Sequence, residues 1–204
     1  MTHLVVALTG ASGVRYGVRL VRAVVAAGLD VTLAVSAGGA RVAAIEEGLR
    51  LDPEAPDPRV LLGADAPPES LARVRAVALS DIAAGVCSGT HPVDAMCVVP
   101  CSMGTLARIA QGTSSNVIER SADVMLKEGR PLVLVPRETP LSRIHLENML
   151  RAHDAGAAIL PAAPGFYTGP RTIDDLVDQV VAKVLDRLRI PNDLVRRWKA
   201  PAAE

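Results

Sequence analysis

Two ionised side chains, Arg137 and Glu138, follow directly on the apolar run Leu132-Val133-Leu134-Val135-Pro136. Charge at the mouth of a buried strand is costly unless it is paired or used. The two are therefore either half of a structural salt bridge or part of a site that handles anions and protons. The arrangement recurs along the chain. Leu4 to Leu8 runs into Thr9-Gly10-Ala11-Ser12-Gly13, Met96 to Val99 into Pro100-Cys101-Ser102-Met103-Gly104-Thr105, and Ala158 to Leu160 into Pro161 through Tyr167. The turn of small residues at Thr9–Gly13 fits a phosphate cradle, where helix N-terminal amides face an anion, and fits a plain tight turn as well. It lacks the complete G-x-G-x-x-G spacing, and no acid closes the second strand, which argues against a dinucleotide fingerprint. Ser102, Gly104 and Thr105 open a helix either as a simple cap or as a second wall for the same ligand. Lys127 ends a helix, where a cation also answers the dipole.

These residues need elements to hold them. Strands are expected at Leu4–Leu8, Val31–Val35, Val74–Leu79, Met96–Val99, Leu132–Val135 and Ala158–Leu160. Helices are expected over Tyr16–Ala27, about Gly39–Glu47, Gly104–Ala110 and Val117–Glu128. Another runs from Pro140, taken as the first helical position, to about Ala155. The cleanest period belongs to the last helix, in which Ile173, Leu176, Val177, Val180, Val181, Val184, Leu185 and Leu188 share one stripe behind a Thr172/Asp175 capping pair. Residues 52 to 70, with five prolines, read as a surface excursion. The β-α-β-α alternation with short connections predicts a doubly wound, Rossmann-like parallel sheet with helices on both faces. A single domain would then span 1–204, with a tail from 190 to 204 packing near the site. In such sheets ligands sit beyond the carboxyl ends of the strands, so the polar turns should form one crest.

Composition removes other classes. Half of the 204 residues are apolar but only four are aromatic, so the core must be Val, Leu, Ile and Ala, as suits strands buried on both faces. A net charge of zero gives no footprint for nucleic acid or an anionic membrane. Apolar runs of about five residues fall far short of a membrane span, and no signal-peptide pattern opens the chain; a cytoplasmic protein is expected. Cys87, Cys97 and Cys101 lack C-x-x-C spacing, which favours buried thiols over a disulfide framework or a zinc site. The four histidines have no ligand spacing. Asp174-Asp175-Leu176-Val177-Asp178 spells a D-D-x-x-D magnesium-diphosphate motif, but its acids occupy the first turns of a helix and answer the dipole there. No metal site is expected.

Taken together, the segments resemble the flavin prenyltransferases, the UbiX-like family. The matching text is Thr9–Gly13, Pro100–Leu106, Asn116–Val124, Leu126–Glu128 with Pro131–Glu138, Ile144–Met149, Pro161–Tyr167 and Asp174–Asp178. The resemblance implies metal-independent transfer of a dimethylallyl group from dimethylallyl monophosphate to reduced FMN, joining N5 and C6. The product, prenylated FMN, would serve a UbiD-like decarboxylase. It further implies an FMN cradle of Gly10, Ala11, Ser12, Ser36, Ser102, Met103, Gly104 and Thr105, with Arg137 between flavin and substrate phosphate. Lys127, Tyr167 and Lys183 would hold the dimethylallyl phosphate, Glu138 and Glu46 would handle protons, and Ser88, Gly89 and Arg120 would lie near the isoprenyl pocket. Trp198 would close it from the tail. A homo-oligomer, a dodecamer by resemblance, with sites at subunit interfaces is the expected assembly. Lys183 departs from the family's usual Arg and loses the planar fork. Two other readings are a non-catalytic FMN carrier and a flavin-dependent cysteine decarboxylase, although the latter's P-x-M-N-x-x-M-type segment is missing.

Overall fold

The computed structural model describes residues 2–197. Six strands form one parallel sheet: β1 (His3–Leu8), β2 (Asp30–Val35), β3 (Val74–Ala76), β4 (Ala95–Cys101), β5 (Leu132–Pro136) and β6 (Ala158–Ile159), in the order β3-β2-β1-β4-β5-β6. The chain winds outward from β1 through β2 to β3, then crosses back to place β4 on the other side of β1. The β1–β4 boundary is therefore the topological switch point, where the first turns of two opposed crossovers part and leave a crevice.

Period-2 alternation within each strand sorts the core into two layers. Leu4, Val6 and Leu8 of β1 face one way, with Val14, Leu20, Val21 and Val24 of α1 (Val14–Ala26) and Val177, Val180, Val181 and Val184 of α8 (Ile173–Arg187). Val5 and Ala7 face the other way, with Leu106 of α5 (Met103–Ala110), Ile118, Ala122 and Met125 of α6 (Val117–Lys127), and Ala152 of α7 (Arg143–Asp154). Each fully buried Leu or Val contributes about 1.5–3 kcal/mol of burial, so the near-absence of aromatics is made up by number. The remaining helices are α2 (Ala37–Glu47), α3 (Pro58–Leu62) and α4 (Pro68–Ala72).

Two close approaches fix the sheet against its helices. A Cβ on Gly17 would lie 2.2 Å from Leu8 Cδ2 and 2.4 Å from the Val99 carbonyl oxygen, and one on Gly39 would lie 2.5 Å from the Leu8 carbonyl oxygen. Only glycine lets α1 and α2 come this near.

Two element boundaries differ from the sequence expectation. The helix expected from Pro140 begins at Arg143 instead. Ser142 caps it in a reciprocal box, its hydroxyl accepting from the His145 amide at 3.2 Å while His145 Nδ1 accepts from the Ser142 amide at 3.3 Å. A side-chain acceptor satisfies an otherwise orphaned amide, which a proline at N1 cannot do. The third strand stops at Ala76, and the excursion at 52–70 contains α3 and the start of α4. Among the described residues no helix is long and apolar enough to cross a membrane.

Candidate flavin and prenyl-phosphate site

The switch point is tied by one buried hydroxyl. Thr9 Oγ1 donates to the Pro100 carbonyl at 2.8 Å and accepts from the Ser102 amide at 2.8 Å, and Thr9 is fully buried. The turn after β1 and the turn after β4 are thereby locked together. Ser102 then caps α5, its hydroxyl accepting from the Thr105 amide at 3.2 Å and donating to Thr105 Oγ1 at 3.0 Å. Ser36 caps α2 in the same way, accepting from the Gly39 amide at 3.0 Å. Gly10 meets Gly38 so closely that a Cβ on Gly10 would lie 3.1 Å from the Gly38 Cα. Gly10, Ser36, Ser102 and Thr105 thus stand beyond the carboxyl ends of β1, β2 and β4, beside two helix N-termini capped by serine hydroxyls.

At the N-terminus of α1, where the sequence fits either a phosphate cradle or a plain tight turn, Glu46 Oε2 accepts from the Gly13 amide at 2.8 Å and from Val14 at 3.3 Å. The resident anion is a carboxylate from the end of α2. Partial burial raises the Glu46 pKa, but the Ser12 hydroxyl, these two amides and the Arg137 charge together outweigh it and hold the group below its ordinary value. Arg137 Nε in turn donates to the Ser12 carbonyl at 3.2 Å, joining the turn after β5 to the turn after β1. Tyr16 packs beneath, its phenol pushed up by burial against the opposing pull of Arg137. Ser12, Glu46, Arg137 and Tyr16 are one electrostatic unit. Glu138 follows it as an exposed carboxylate whose Oε1 accepts from the Thr139 amide at 3.0 Å.

Beyond β6 the chain folds over a cavity of about 220 Å³ lined by Tyr167, Gln179, Lys183 and Val195, among others. The Ala162 amide donates to the Pro136 carbonyl at 2.9 Å, which keeps this wall beside the turn carrying Arg137. Tyr167 and Lys183 are therefore brought together, as expected, and the tail reaches them through Val195. Trp198 lies outside the described residues.

The remaining expected residues lie elsewhere. Lys127 ends the helix that leads into the start of β5, and Ser88 and Gly89 precede the start of β4, so they occupy the amino-terminal edge of the sheet, opposite the crest. There Lys127 Nζ donates to Glu128, and a Cβ on Gly89 would lie 2.8 Å from that Nζ. Arg120 donates from Nε to the Cys87 carbonyl at 3.3 Å and from Nη1 to Asp123 at 2.6 Å. The sequence reading puts the four strand-end turns on one crest and takes Lys127, Ser88, Gly89 and Arg120 from the resemblance; strand polarity sets Lys127, Ser88 and Gly89 at the other edge. It also passed over Thr9 and Tyr16. The buried hydroxyl of Thr9 next to the glycine turn was the available signal.

The acidic helix is accounted for by local pairing. Asp174 lies 3.5 Å from Arg15, Asp175 accepts from the Arg171 and Thr172 amides, and Asp178 pairs with Arg19 at 2.5 Å. Among the described residues no three His, Cys, Asp or Glu are grouped so as to hold a metal ion. All three cysteines are free and buried; burial pushes the Cys101 thiol up to about 12 and Cys97 higher still.

The chain is a parallel α/β protein whose polar turns meet at the switch point, and its class is that of the flavoproteins: the family model "Flavoprotein" matches residues 1–185. Within that class the relatives are specific. The flavin prenyltransferase UbiX of Halalkalibacterium halodurans is 47% identical over 193 residues, covering 95% of this chain and 91% of its own. That of Pseudomonas aeruginosa is 45% identical, covering 96% and 93%. The chain belongs to the UbiX flavin prenyltransferase family. Among solved structures, AnUbiX (PadA1) in complex with FMN and dimethylallyl pyrophosphate superposes with a TM-score of 0.84 at 39% identity over 98% of both chains. A dodecameric FMN-dependent UbiX-like decarboxylase from Escherichia coli gives 0.82 at 39% over 98% and 100%. The cypemycin decarboxylase CypD, at 18% identity and 0.61, shares the fold alone.

Proposed function

We propose that this chain transfers a dimethylallyl group from dimethylallyl monophosphate to reduced FMN and releases prenylated FMN to a UbiD-like decarboxylase. The observation that carries the proposal is that hydrogen bonds join the turns after β1, β4 and β5 at one edge of the sheet: Thr9 to Pro100 and Ser102, Arg137 to Ser12, and Pro136 to Ala162 of the segment that lines the Tyr167–Lys183 cavity.

Reduced flavin supplies the electron-rich N5 and C6; the prenyl C1–O bond breaks, and phosphate leaves with the electron pair. This chain's residues do the rest. Gly10, Ala11, Ser12, Ser36 and Ser102 to Thr105 would hold FMN, with hydroxyls and helix N-termini on its polar groups. Arg137, Tyr167 and Lys183 present cationic and phenolic donors where the phosphate charge grows, which is electrostatic catalysis. Glu138 would give a proton to departing phosphate, and Glu46, which accepts from the turn after β1, would take one during ring closure.

Lys127, Ser88, Gly89 and Arg120 serve the same reaction from a neighbouring copy. The place of Lys127, Ser88 and Gly89 at the opposite edge of the sheet, together with the dodecameric relative, supports a homo-oligomer whose sites are shared between subunits. A cytoplasmic location and a role for the 190–197 segment over the donor cavity belong to the same proposal.

The test is anaerobic incubation of the protein with reduced FMN and either dimethylallyl monophosphate or diphosphate, followed by mass spectrometry of the released flavin. Gain of one five-carbon unit supports the reading, and the preferred donor sets the phosphate specificity. Unmodified flavin with both donors would reject it in favour of an FMN carrier. Glu138→Gln should keep FMN and lose turnover.

A further inference from the structure

We propose that Arg130 is a positioning residue for the prenyl-phosphate site: its guanidinium holds the Cys87–His91 loop against the end of α6, so that loop and Lys127 act as one unit. The inference rests on the proposed prenyl transfer and on the assignment of Ser88, Gly89 and Lys127 to donor binding.

The loop has little structure of its own. After one 3-10 turn at Gly85–Cys87 it is closed by Ser88 Oγ on Thr90 Oγ1 at 2.9 Å and by the His91 amide on the Ser88 carbonyl at 3.2 Å. Three of its carbonyls are held by arginines instead. Arg130 Nη1 donates to the His91 carbonyl at 2.9 Å and Nη2 to the Gly89 carbonyl at 2.6 Å, while Arg120 takes that of Cys87 at 3.3 Å. Two terminal nitrogens at fixed spacing grip two carbonyls two residues apart, a geometry that the planar fork fixes in advance and a single ammonium nitrogen does not.

Arg130 is itself anchored. Gly129 ends α6 at φ 64°, and the Arg130 amide returns to the Met125 carbonyl at 2.8 Å, which is the 6→1 bond of a Schellman stop. The same helix end carries Lys127. Position and orientation of the loop are thereby referred to the lysine, and Gly89 lies against the side-chain ends of Lys127 and Glu128. Loss of the fork would free the loop to drift from the cation, while the FMN cradle, at the other edge of the sheet, would be untouched.

The measurement is steady-state prenylation and FMN titration on the full chain, for the parent, Arg130→Lys and Arg130→Met. The expected result is a rise of about tenfold or more in the KM for dimethylallyl monophosphate in Arg130→Met, equivalent to about 1.4 kcal/mol. A smaller rise is expected in Arg130→Lys, and FMN affinity should stay within about twofold of the parent in both. Added methylguanidinium should lower the KM of Arg130→Met and leave the parent unchanged. Should Arg130→Met fold poorly, Arg130→Lys carries the test with the same KM and FMN readouts. An unchanged KM, or FMN affinity falling in step with it, would overturn the assignment. A parent that makes no prenylated flavin would instead reject the proposed function on which the assignment rests.

Discussion

Thr9→Val deletes one hydroxyl at the switch point and keeps the side-chain volume. The parent hydroxyl makes two buried hydrogen bonds, to the Pro100 carbonyl and from the Ser102 amide, both at 2.8 Å. The carbonyl retains the Thr9 amide at 3.2 Å, so the group left without its partner is the Ser102 N–H. Two lost bonds at about 1 kcal/mol each, with the orphaned amide setting the upper end, give a destabilisation of about 2–3 kcal/mol. No cavity forms, which separates this loss from a packing defect. Because Ser102 starts the α5 side of the cradle, FMN affinity should fall by about three- to tenfold as well, or roughly 1 kcal/mol. Thr9→Ser retains the oxygen and should recover most of both losses. The assay is urea unfolding at one fixed protomer concentration, since assembly adds to apparent stability, followed by fluorescence titration of FMN. A valine variant within about 0.5 kcal/mol of the parent, binding FMN as the serine variant does, would refute the hydroxyl's role in joining β1 to β4.

Three further outcomes follow from the same geometry. Glu46 is held below its ordinary pKa, so the stability it contributes is complete above the usual carboxyl value near 4.5 and fades as pH falls through its lower folded value. Glu46→Gln should therefore flatten the melting-temperature profile on the acid side of pH 5, as scanning from pH 7 downward would reveal. Gly17→Ala drives a methyl into Leu8 and the Val99 carbonyl; overpacking against backbone should cost about 2–3 kcal/mol, seen as a thermal shift of about 5–10 °C. Lys183→Arg restores a bidentate grip in the Tyr167 cavity and should lower the KM for the prenyl phosphate about two- to fivefold with little change in FMN affinity, measured by initial rates over a donor series.

The fold was legible because its signals are local and redundant. Apolar runs located all six strands, the third ending at Ala76 and not at Leu79, and the stripe on α8 with its Thr172 cap gave that helix to within one residue at its end. The start of α7 was not, because Pro140 and Ser142 both offer helix-start chemistry two residues apart, and only the hydrogen-bonded structure shows which one caps it. On the crest, Arg137 announced itself as charge after a buried strand, and its tie to Ser12 agrees with that. The division of the site was illegible for a different reason. Lys127 and Arg137 are ten residues apart, yet a strand running between them carries them to opposite edges, and nothing in residue type records strand polarity. The capture of the α1 amides by Glu46 was equally hidden, since it joins residues more than thirty positions apart.

The placement of Lys127 and Gly89 at one edge of the sheet and Arg137 at the other also bears on inheritance. In the shared-site assembly proposed above, a copy crippled at its crest still offers a sound amino-terminal edge to its neighbour, and a copy crippled at that edge still offers a sound crest. Two alleles, each inactive alone, should therefore rescue each other when co-expressed, because some neighbouring pairs join two sound halves. Two lesions at the same edge should not. The same sharing makes a single defective allele spread its harm, since each faulty copy spoils a site built largely by a healthy one.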